Sequence, residues 1–145
     1  MLERCEAGGD GRAVHGVARD LGVVEICTTI GGADRRFVTA AMRREAFARY
    51  GLTGPNDTTC RKDKHGRRFE LDHLIPRQLG GADHVDNLIP QCYAGKPWNA
   101  VLKDRVENRL HKEVCAGRID LEPAQRMIAK DWRALYRKFF GEPPR

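Results

Sequence analysis

The sequence predicts an α+β domain whose centre is a unit of two short strands followed by a helix, with one further helix on each side. Two short, largely apolar segments, residues 69–76 and 87–93, are bounded by turn-forming residues, as expected of strands. Two longer segments, residues 98–115 and 120–140, carry apolar residues at helical spacing. The 145 residues suffice for one domain with a modest core but not for two full domains.

The N-terminal part of the chain is predicted to contain a tail and one helix. Residues 1–20 are rich in Gly, Ala and charged residues and show no sustained period, which favours a flexible tail before a single domain over residues 21–145. From Asp34 to Tyr50, apolar residues recur at roughly helical spacing, and Gly51 supplies a stop. This stretch is predicted to be the first helix.

The two central strands are predicted to be joined by a turn-rich loop. The first segment reads FELDHLIP and ends at Pro76, which is typical of a strand that runs into a turn. The loop contains Gly80 and Gly81, and a second short extended segment, NLIPQCY, follows it. The predicted order is therefore strand, loop, strand and helix.

The two C-terminal helices are predicted from their apolar stripes. The first stripe recurs every four residues and ends before Gly117; it consists of Trp98, Leu102, Val106, Leu110 and Val114. The second helix opens at Asp120, a favourable N-cap, and covers about residues 120–140. Its stripe of apolar and aromatic residues is interpreted as core packing rather than as a cofactor site.

The charge balance favours a polyanionic partner. The chain has 26 Lys and Arg against 20 Asp and Glu, a net charge of +6. Nucleic acid or an anionic membrane surface fits that balance. The densest basic cluster lies in the loop just before the first strand and consists of Arg61, Lys62, Lys64, Arg67 and Arg68. It is interpreted as a phosphate-contacting surface because of this position, the alternative being a solvated charged loop.

Neither a membrane span nor a secretory leader is expected. The chain has no run of about 18 apolar residues, and its opening lacks the apolar stretch of a signal peptide. We therefore expect a cytoplasmic protein, with a secreted protein whose leader has been removed as the alternative. The five cysteines form no CxxC pair, which argues against a zinc ribbon.

Four polar residues stand at three places on the edges of the predicted central unit. They are Asp72 and His73 at the end of the first strand, Asn87 at the start of the second, and Asn99 at the start of the helix. With the motifs ELDHLIP, NLIPQ and WNAVLKDRVENRLHKEVC, this pattern resembles the HNH nucleases of the ββα-metal superfamily over about residues 66–117. A broader likeness to short bacterial and phage-borne HNH proteins, with Ala-Gln at 124–125 and Asp-Trp at 131–132, extends it from about residue 26 to 140.

The resemblance implies a ββα-metal (His-Me finger) core and a metal-dependent endonuclease that hydrolyses phosphodiester bonds. His73 would be the general base, because its ordinary pKa lies near neutrality. Asp72 would be a metal ligand, and one divalent ion would stabilise the developing charge. Asn87 would hold the His73 ring or brace the loop through its amide.

Two residues compete for the third family position, Asn99 and His111. About 18 Å of helix axis separates them, so both cannot ligate one metal. Asn99 points close to the apolar stripe that faces the strands, whereas His111 lies about 140° away from it, so geometry favours Asn99. Oxygen ligands from Asp72 and Asn99 would suit Mg²⁺ or Mn²⁺, whereas His111 would make Zn²⁺ or Ni²⁺ more plausible.

Several residues are expected to support this site. Lys103 lies at the edge of the inward helix face and can pair with Glu70 or Asp72. Glu107 is also expected to support the site from outside the metal ligands. The alternative is that Glu107 lies on a solvated face of the helix. The resemblance also implies a disulfide between Cys27 and Cys115, which correspond to cysteines of secreted relatives. Cys60 and Cys92 flank the two strands and can also meet, although sequence alone does not set connectivity.

DNA is the substrate that the resemblance favours, with RNA not excluded. Recognition through the basic loop would give little sequence preference, because phosphate contacts carry no base information. Selectivity would then require a partner, for example in a phage or repair assembly. Two rival interpretations are a nucleic-acid-binding module without turnover and a secreted nuclease or toxin. Oligomeric state is left open.

Overall fold

Two antiparallel strands and the helix that follows them form the centre of the fold. The computed structural model describes residues 16–29 and 36–145. Its helices and strands are α1 (Val23–Thr28), α2 (Ala40–Arg49), β1 (Phe69–His73), β2 (Leu88–Cys92), α3 (Ala100–Cys115) and α4 (Leu121–Phe140). The predicted α+β class is confirmed, and the order of β1, β2 and α3 is consistent with the ββα-metal fold.

The register of the hairpin sets the position of its polar end. In β1, Asp72 lies opposite Ile89 and His73 lies opposite Leu88, so the two polar residues stand where the strand pair closes. Pro90 can sit inside β2 because, within residues 16–29 and 36–145, this sheet has two strands and each has a free edge. Beyond His73 the chain turns through Pro76 into a short 3₁₀ turn, Arg77–Leu79.

Helices α3 and α4 supply most of the core. The predicted stripe of α3 is buried and packs against α4, in the same cluster as Ile128 and Trp132. Trp98, just before α3, contacts two rings of α4 edge to face, Trp132 at 5.4 Å and Tyr136 at 5.5 Å between centroids. The interpretation of the α4 stripe as core packing is therefore confirmed, whereas the α3 stripe, which was expected to face the strands, faces α4.

Helix α4 is kinked at Asp131, where the backbone is extended (φ −162°, ψ 87°). The Asp131 carboxylate accepts a hydrogen bond from the Ala134 N–H, so it caps the second half of the helix. Beyond the kink, Leu135 and Tyr136 are buried in the core. The sequence did not signal this break, because aspartate in an amphipathic stretch is common on a solvated face.

Helix α2 begins later than predicted. Its N-cap is Thr39, whose hydroxyl accepts from the Met42 N–H, and Phe37 lies outside the helix with 71% of its surface exposed. The reason is local, since the Phe37 N–H donates to the Asp83 carboxylate at 2.7 Å and holds this segment in a non-helical conformation. The predicted start at Asp34 lies outside the described residues.

Residues 16–20, expected in the flexible tail, instead lie against the loop between the strands. Ala18 forms an isolated antiparallel bridge with Gly81, and the Arg19 guanidinium donates to the carbonyls of Arg77 and Gly81. Helix α1 follows directly and was not predicted. Residues 1–15, the rest of the predicted tail, lie outside the described part of the chain.

Gly81 is required by this arrangement. A Cβ atom at this position would lie 1.7 Å from the Ile75 carbonyl oxygen, so only glycine allows the loop to approach the end of β1 so closely. The close approach brings residues 82–87 back beside Asp72 and His73. The turn signal read from the paired glycines therefore has a steric cause.

Two disulfides tie the outer segments to the central unit. Cys27 of α1 bonds to Cys115 at the end of α3, and Cys60 of the basic loop bonds to Cys92 of β2. These are the two pairs considered in the sequence analysis. Within the described ranges, none of the helices has the length and apolar character that a membrane crossing requires.

The Cys27→Ser/Cys115→Ser variant is expected to unfold more easily than the wild type. The bridge joins residues 88 apart in sequence. In the chain-entropy model, removing a cross-link that closes a loop of this size lowers the free energy of unfolding by about 4–5 kcal/mol, because the unfolded chain becomes less constrained. The Cys60→Ser/Cys92→Ser variant, with a separation of 32, should lose about 1 kcal/mol less. Urea denaturation of oxidised protein measures both values. Equal stability of wild type and the first variant would contradict the bridge.

Candidate active site

A cavity of about 210 Å³ opens where β1 ends. Side chains from the segment before α2, from β1, from the turn after β1 and from α3 line this cavity. Its lining consists of Arg36, Asp72, His73, Pro76, Arg77, Gln78 and Glu107. The two adjacent residues of the Asp-His motif therefore face one cavity, which the end of the strand allows.

His73 is the most buried polar group that faces this cavity, with 2% of its surface exposed. Its Nε2 atom lies 2.8 Å from Asp83 Oδ1, and its Nδ1 atom lies 3.1 Å from a guanidinium nitrogen of Arg36. Burial lowers the pKa of His73, and the Arg36 charge acts in the same direction, against the hydrogen bond to Asp83, which raises it. The imidazole is therefore neutral at neutral pH, the form that can accept a proton.

Asp72 is fixed by two contacts. One carboxylate oxygen accepts from the backbone N–H of His73 at 2.8 Å, and the other lies 2.8 Å from Lys103 Nζ. The side chain is 8% exposed. Because both contacts come from neighbours that are themselves buried, the carboxylate is held at the edge of the cavity with little freedom to turn away.

Lys103 is fully buried and connects α3 to β1. Its ammonium lies 2.8 Å from Asp72, 2.5 Å from Glu107 and 2.8 Å from the His73 carbonyl oxygen, so each of its three N–H groups has an acceptor. Burial alone would lower the pKa of Lys103, but the attraction of the two carboxylates outweighs it and raises the pKa. The lysine is therefore charged.

Several carboxyl groups crowd around the single ammonium group of Lys103. Burial, followed by repulsion from Asp72 and Asp104, raises the pKa of Glu70 to about 7. Burial and Asp72 also raise the pKa of Asp104 and of Glu107. Such a cluster of crowded carboxylate oxygens fits a hard divalent cation, because bound positive charge would relieve the repulsion.

Asn87 braces the loop between the strands. It is fully buried; its amide oxygen accepts from the N–H groups of Val17 and Ile75, and its amide nitrogen donates to the carbonyls of Ile75 and Ala82. All four of these hydrogen bonds go to backbone groups and not to the His73 ring, which favours the bracing role of the two considered; the role of Asn87 stays a prediction.

Asn99 caps helix α3. Its side-chain oxygen accepts from the Leu102 N–H at 3.0 Å, and its nitrogen donates to the Gly95 carbonyl at 3.0 Å. It stands one turn before Lys103, on the part of the helix nearest β1. The cap uses the same oxygen that would bind a metal, so a ligand role for Asn99 stays a prediction.

His111 is not brought to Asp72. It lies two turns beyond Lys103, about 12 Å along the helix axis. Its Nε2 atom is 3.3 Å from the Ile26 carbonyl oxygen and 3.6 Å from Cys115 Sγ. Cys27, His111 and Cys115 place ligand atoms within 4.8 Å of one another, but the two sulfur atoms are bonded in the disulfide, so a metal there would require reduction.

The predicted basic loop divides into two sets. Arg61 and Arg68 donate to backbone carbonyls, and Arg67 pairs with Asp63 and stacks over Tyr93 at 4.0 Å. Lys62 and Lys64 are exposed. Tyr93 also lines a second cavity, of about 240 Å³, together with Glu70 and Arg43. Because Arg36 lines both cavities, positive side chains extend from this loop to His73.

Arg36, Arg77 and Asp83 were missed in the sequence analysis. Arg36 and Asp83 contact the two ring nitrogens of His73, and Arg77 lies 2.6 Å from Asp83. Asp83 offered a weak signal, since it lies two residues after the double glycine, in a turn-rich loop that follows the Asp-His motif. Arg36 offered none, because its contact with His73 spans 37 residues.

Comparison with known proteins gives a match to a family model over part of the chain. Residues 58–94 match the model described as HNH endonuclease, and this segment contains Asp72, His73 and Asn87. No significant match was found among curated proteins or among solved structures. The match supports the resemblance to HNH proteins and indicates a nuclease-type function.

Replacement of Lys103 by methionine is expected to destabilise the fold strongly. The Lys103→Met variant would leave two buried carboxylates without their cation, a loss of about 3–5 kcal/mol in the free energy of unfolding. Lys103→Met/Glu107→Gln removes one of these charges and should recover part of the loss. Urea denaturation of both variants tests this, and a Lys103→Met protein as stable as the wild type would contradict it.

Proposed function

We propose that this protein is a metal-dependent endonuclease that hydrolyses phosphodiester bonds of DNA with His73 as the general base. One observation carries the proposal: a buried, neutral histidine and a fixed aspartate face one cavity, within the segment that matches the HNH endonuclease model. A neutral imidazole at this position can take a proton from an attacking water.

The chain's own residues supply orientation and the site for the cation. His73 cannot swing freely, because both of its ring nitrogens are in contact with charged side chains. Asp72 would hold a divalent metal, with Glu107 as the second carboxylate of the same cavity. When bound, such a metal supplies positive charge for the developing phosphorane and the leaving oxygen. Arg36 stands where it can contact a phosphate beside His73.

The donor set favours Mg²⁺ or Mn²⁺. The groups that face the cavity offer carboxylate oxygens, the ligands that hard cations prefer. Asn99 would add an amide oxygen only if it released the cap of α3. The Zn²⁺ or Ni²⁺ alternative depends on His111, which lies on the part of α3 that contacts α1.

DNA is the proposed substrate, and RNA is the alternative. Arg36 lines both cavities, Arg43 lines the second, and Arg67 stacks on Tyr93 at its edge. This row of cations suits a phosphate backbone and gives little sequence preference. Lys62 and Lys64 would extend this contact from the edge of the basic loop.

Two observations favour rival interpretations. Arg36 contacts His73 Nδ1, and Lys103 contacts one oxygen of Asp72, so atoms needed for catalysis are already engaged. A binding module without turnover would tolerate these contacts. The two disulfides favour the secreted nuclease or toxin over a cytoplasmic protein, because disulfides persist in oxidising compartments. Mass spectrometry of the purified protein with and without reductant addresses the second point.

Plasmid cleavage tests the proposed activity. Purified protein is incubated with supercoiled DNA and EDTA, Mg²⁺, Mn²⁺, Zn²⁺ or Ni²⁺, and nicking is expected with Mg²⁺ or Mn²⁺ only. His73→Ala should slow nicking by about 10²–10⁴-fold, the usual effect of losing a general base.

His84→Ala, which removes an exposed imidazole, is the matched control and should cut like the wild type. Circular dichroism shows that each variant is folded. A His73→Ala protein of full activity would overturn the role of His73. Failure to cut plasmid, single-stranded DNA or RNA with any of these metals would favour the binding module.

Neutralising the exposed lysines should weaken binding uniformly across DNA sequences. For Lys62→Ala/Lys64→Ala, the slope of log K against log salt concentration is expected to fall by about 1.8, since each phosphate contact contributes about 0.9. Lys130→Ala/Lys138→Ala removes the same charge from exposed positions of α4 and is the control. Fluorescence anisotropy with two unrelated duplexes measures both slopes. An equal change in the two variants would count against the basic loop as a contact surface.

A further inference from the structure

We infer that Asp83 is the positioning residue of the site: it fixes the His73 imidazole in the tautomer with the proton on Nε2 and leaves Nδ1 as the basic atom. The catalytic consequence rests on the proposed function, whereas the tautomer itself is a property of the folded chain. Neither the family match nor the Asp-His motif points to Asp83, which belongs to the loop after the double glycine.

The contact at Nε2 requires a proton on that atom. Nε2 lies 2.8 Å from Asp83 Oδ1, and an ionised carboxylate can only accept. Burial would raise the pKa of Asp83, but hydrogen bonds from the Phe37 N–H, His73 and Arg77 outweigh it and lower the pKa. With the carboxylate ionised, the imidazole must be the donor.

The contact at Nδ1 gives the same answer independently. A guanidinium nitrogen of Arg36 lies 3.1 Å from this atom, and a guanidinium can only donate. Nδ1 must therefore be the acceptor, with its lone pair directed at Arg36. Two contacts on opposite sides of the ring thus specify one tautomer, and they place the basic lone pair on the side of Arg36, which lines the cavity.

Asp83 is itself held in one orientation. Its Oδ2 atom accepts from the Phe37 N–H at 2.7 Å and from an Arg77 guanidinium nitrogen at 2.6 Å. Both partners can only donate, so Oδ2 must be an acceptor and Oδ1 is the atom left for His73. The carboxylate therefore connects the segment before α2, the turn after β1 and the imidazole.

This geometry makes Asp83→Asn an informative substitution, because the amide has the same shape but one donor end. The two donors at the Oδ2 position would hold the amide oxygen there, which turns the NH₂ group toward His73 Nε2. Nε2 must then accept and the proton moves to Nδ1, and the exposed Arg36 side chain, which can only donate, must turn away from that atom. The histidine keeps its place and loses its basic lone pair on the cavity side, as in a triad whose aspartate is replaced by asparagine.

The test reads the tautomer directly. Protein labelled with ¹⁵N-histidine is compared with its Asp83→Asn variant by long-range ¹H–¹⁵N NMR at about pH 8, where the ring is neutral. His73→Gln assigns the resonances. We expect an Nε2–H ring in the wild type and an Nδ1–H ring in Asp83→Asn. Single-turnover nicking at saturating protein should fall by about 10³–10⁴-fold, with the Kd for DNA changed less than about twofold.

Asp120→Asn, an exposed position at the start of α4, is the matched control and should change neither the ring signals nor the rate. An Nδ1–H ring in the wild type would overturn the inference even if the variant failed to fold. An Nε2–H ring retained in a folded Asp83→Asn protein would show that the Arg36 contact, and not Asp83, sets the tautomer, and would also overturn the inference. Absence of cleavage by the wild type would refute the proposed nuclease and leave the spectra to decide on Asp83.

Discussion

The buried ammonium group of Lys103 joins the two halves of the site. Its contacts with Asp72 Oδ2 and with the His73 carbonyl oxygen connect α3 to both residues of the Asp-His motif. An isolated charge at this depth would be very unfavourable, and it is accommodated because every N–H group finds an acceptor. The same contact places one ammonium group among several carboxyl groups whose pKa values are raised, and a bound divalent cation would lower them by favouring the ionised forms.

The opposite wall of the cavity depends on the loop between the strands. Asn87 closes this loop from within through four backbone hydrogen bonds, and the absence of a side chain at Gly81 lets it approach the Ile75 carbonyl. Residues 16–20 cover it from outside. A loop fastened in this way can hold Asp83 in a fixed direction, whereas a mobile loop would let the carboxylate turn to solvent. Asn87 thus stabilises the segment that carries Asp83, the residue in contact with His73 Nε2.

The parts of the fold that were predicted correctly are those encoded over short distances. The segment FELDHLIP has the composition of a strand, and the α3 stripe has helical spacing, so the central unit and the place of Asp72 and His73 follow from local pattern. The contacts of His73 were not predictable in this way, because Arg36 and Asp83 arrive from other segments. The start of α2 was misjudged for the same reason, since a carboxylate 46 residues away binds the Phe37 N–H. Asn99 shows a different difficulty: a capping oxygen and a metal-binding oxygen are the same atom, and sequence does not distinguish them.

The bond between Cys27 and Cys115 gives the molecule a covalent ring. Every residue that faces the cavity at the end of β1, from Arg36 to Glu107, belongs to the stretch that this ring encloses. A protease that cut one exposed loop inside the ring would therefore open the chain without releasing a fragment. The two pieces would stay one molecule, with α3 and β1 still packed against each other, until a reductant separated them. Resistance to dissociation after such a cut is a property of the closed ring and does not depend on the strength of the packing.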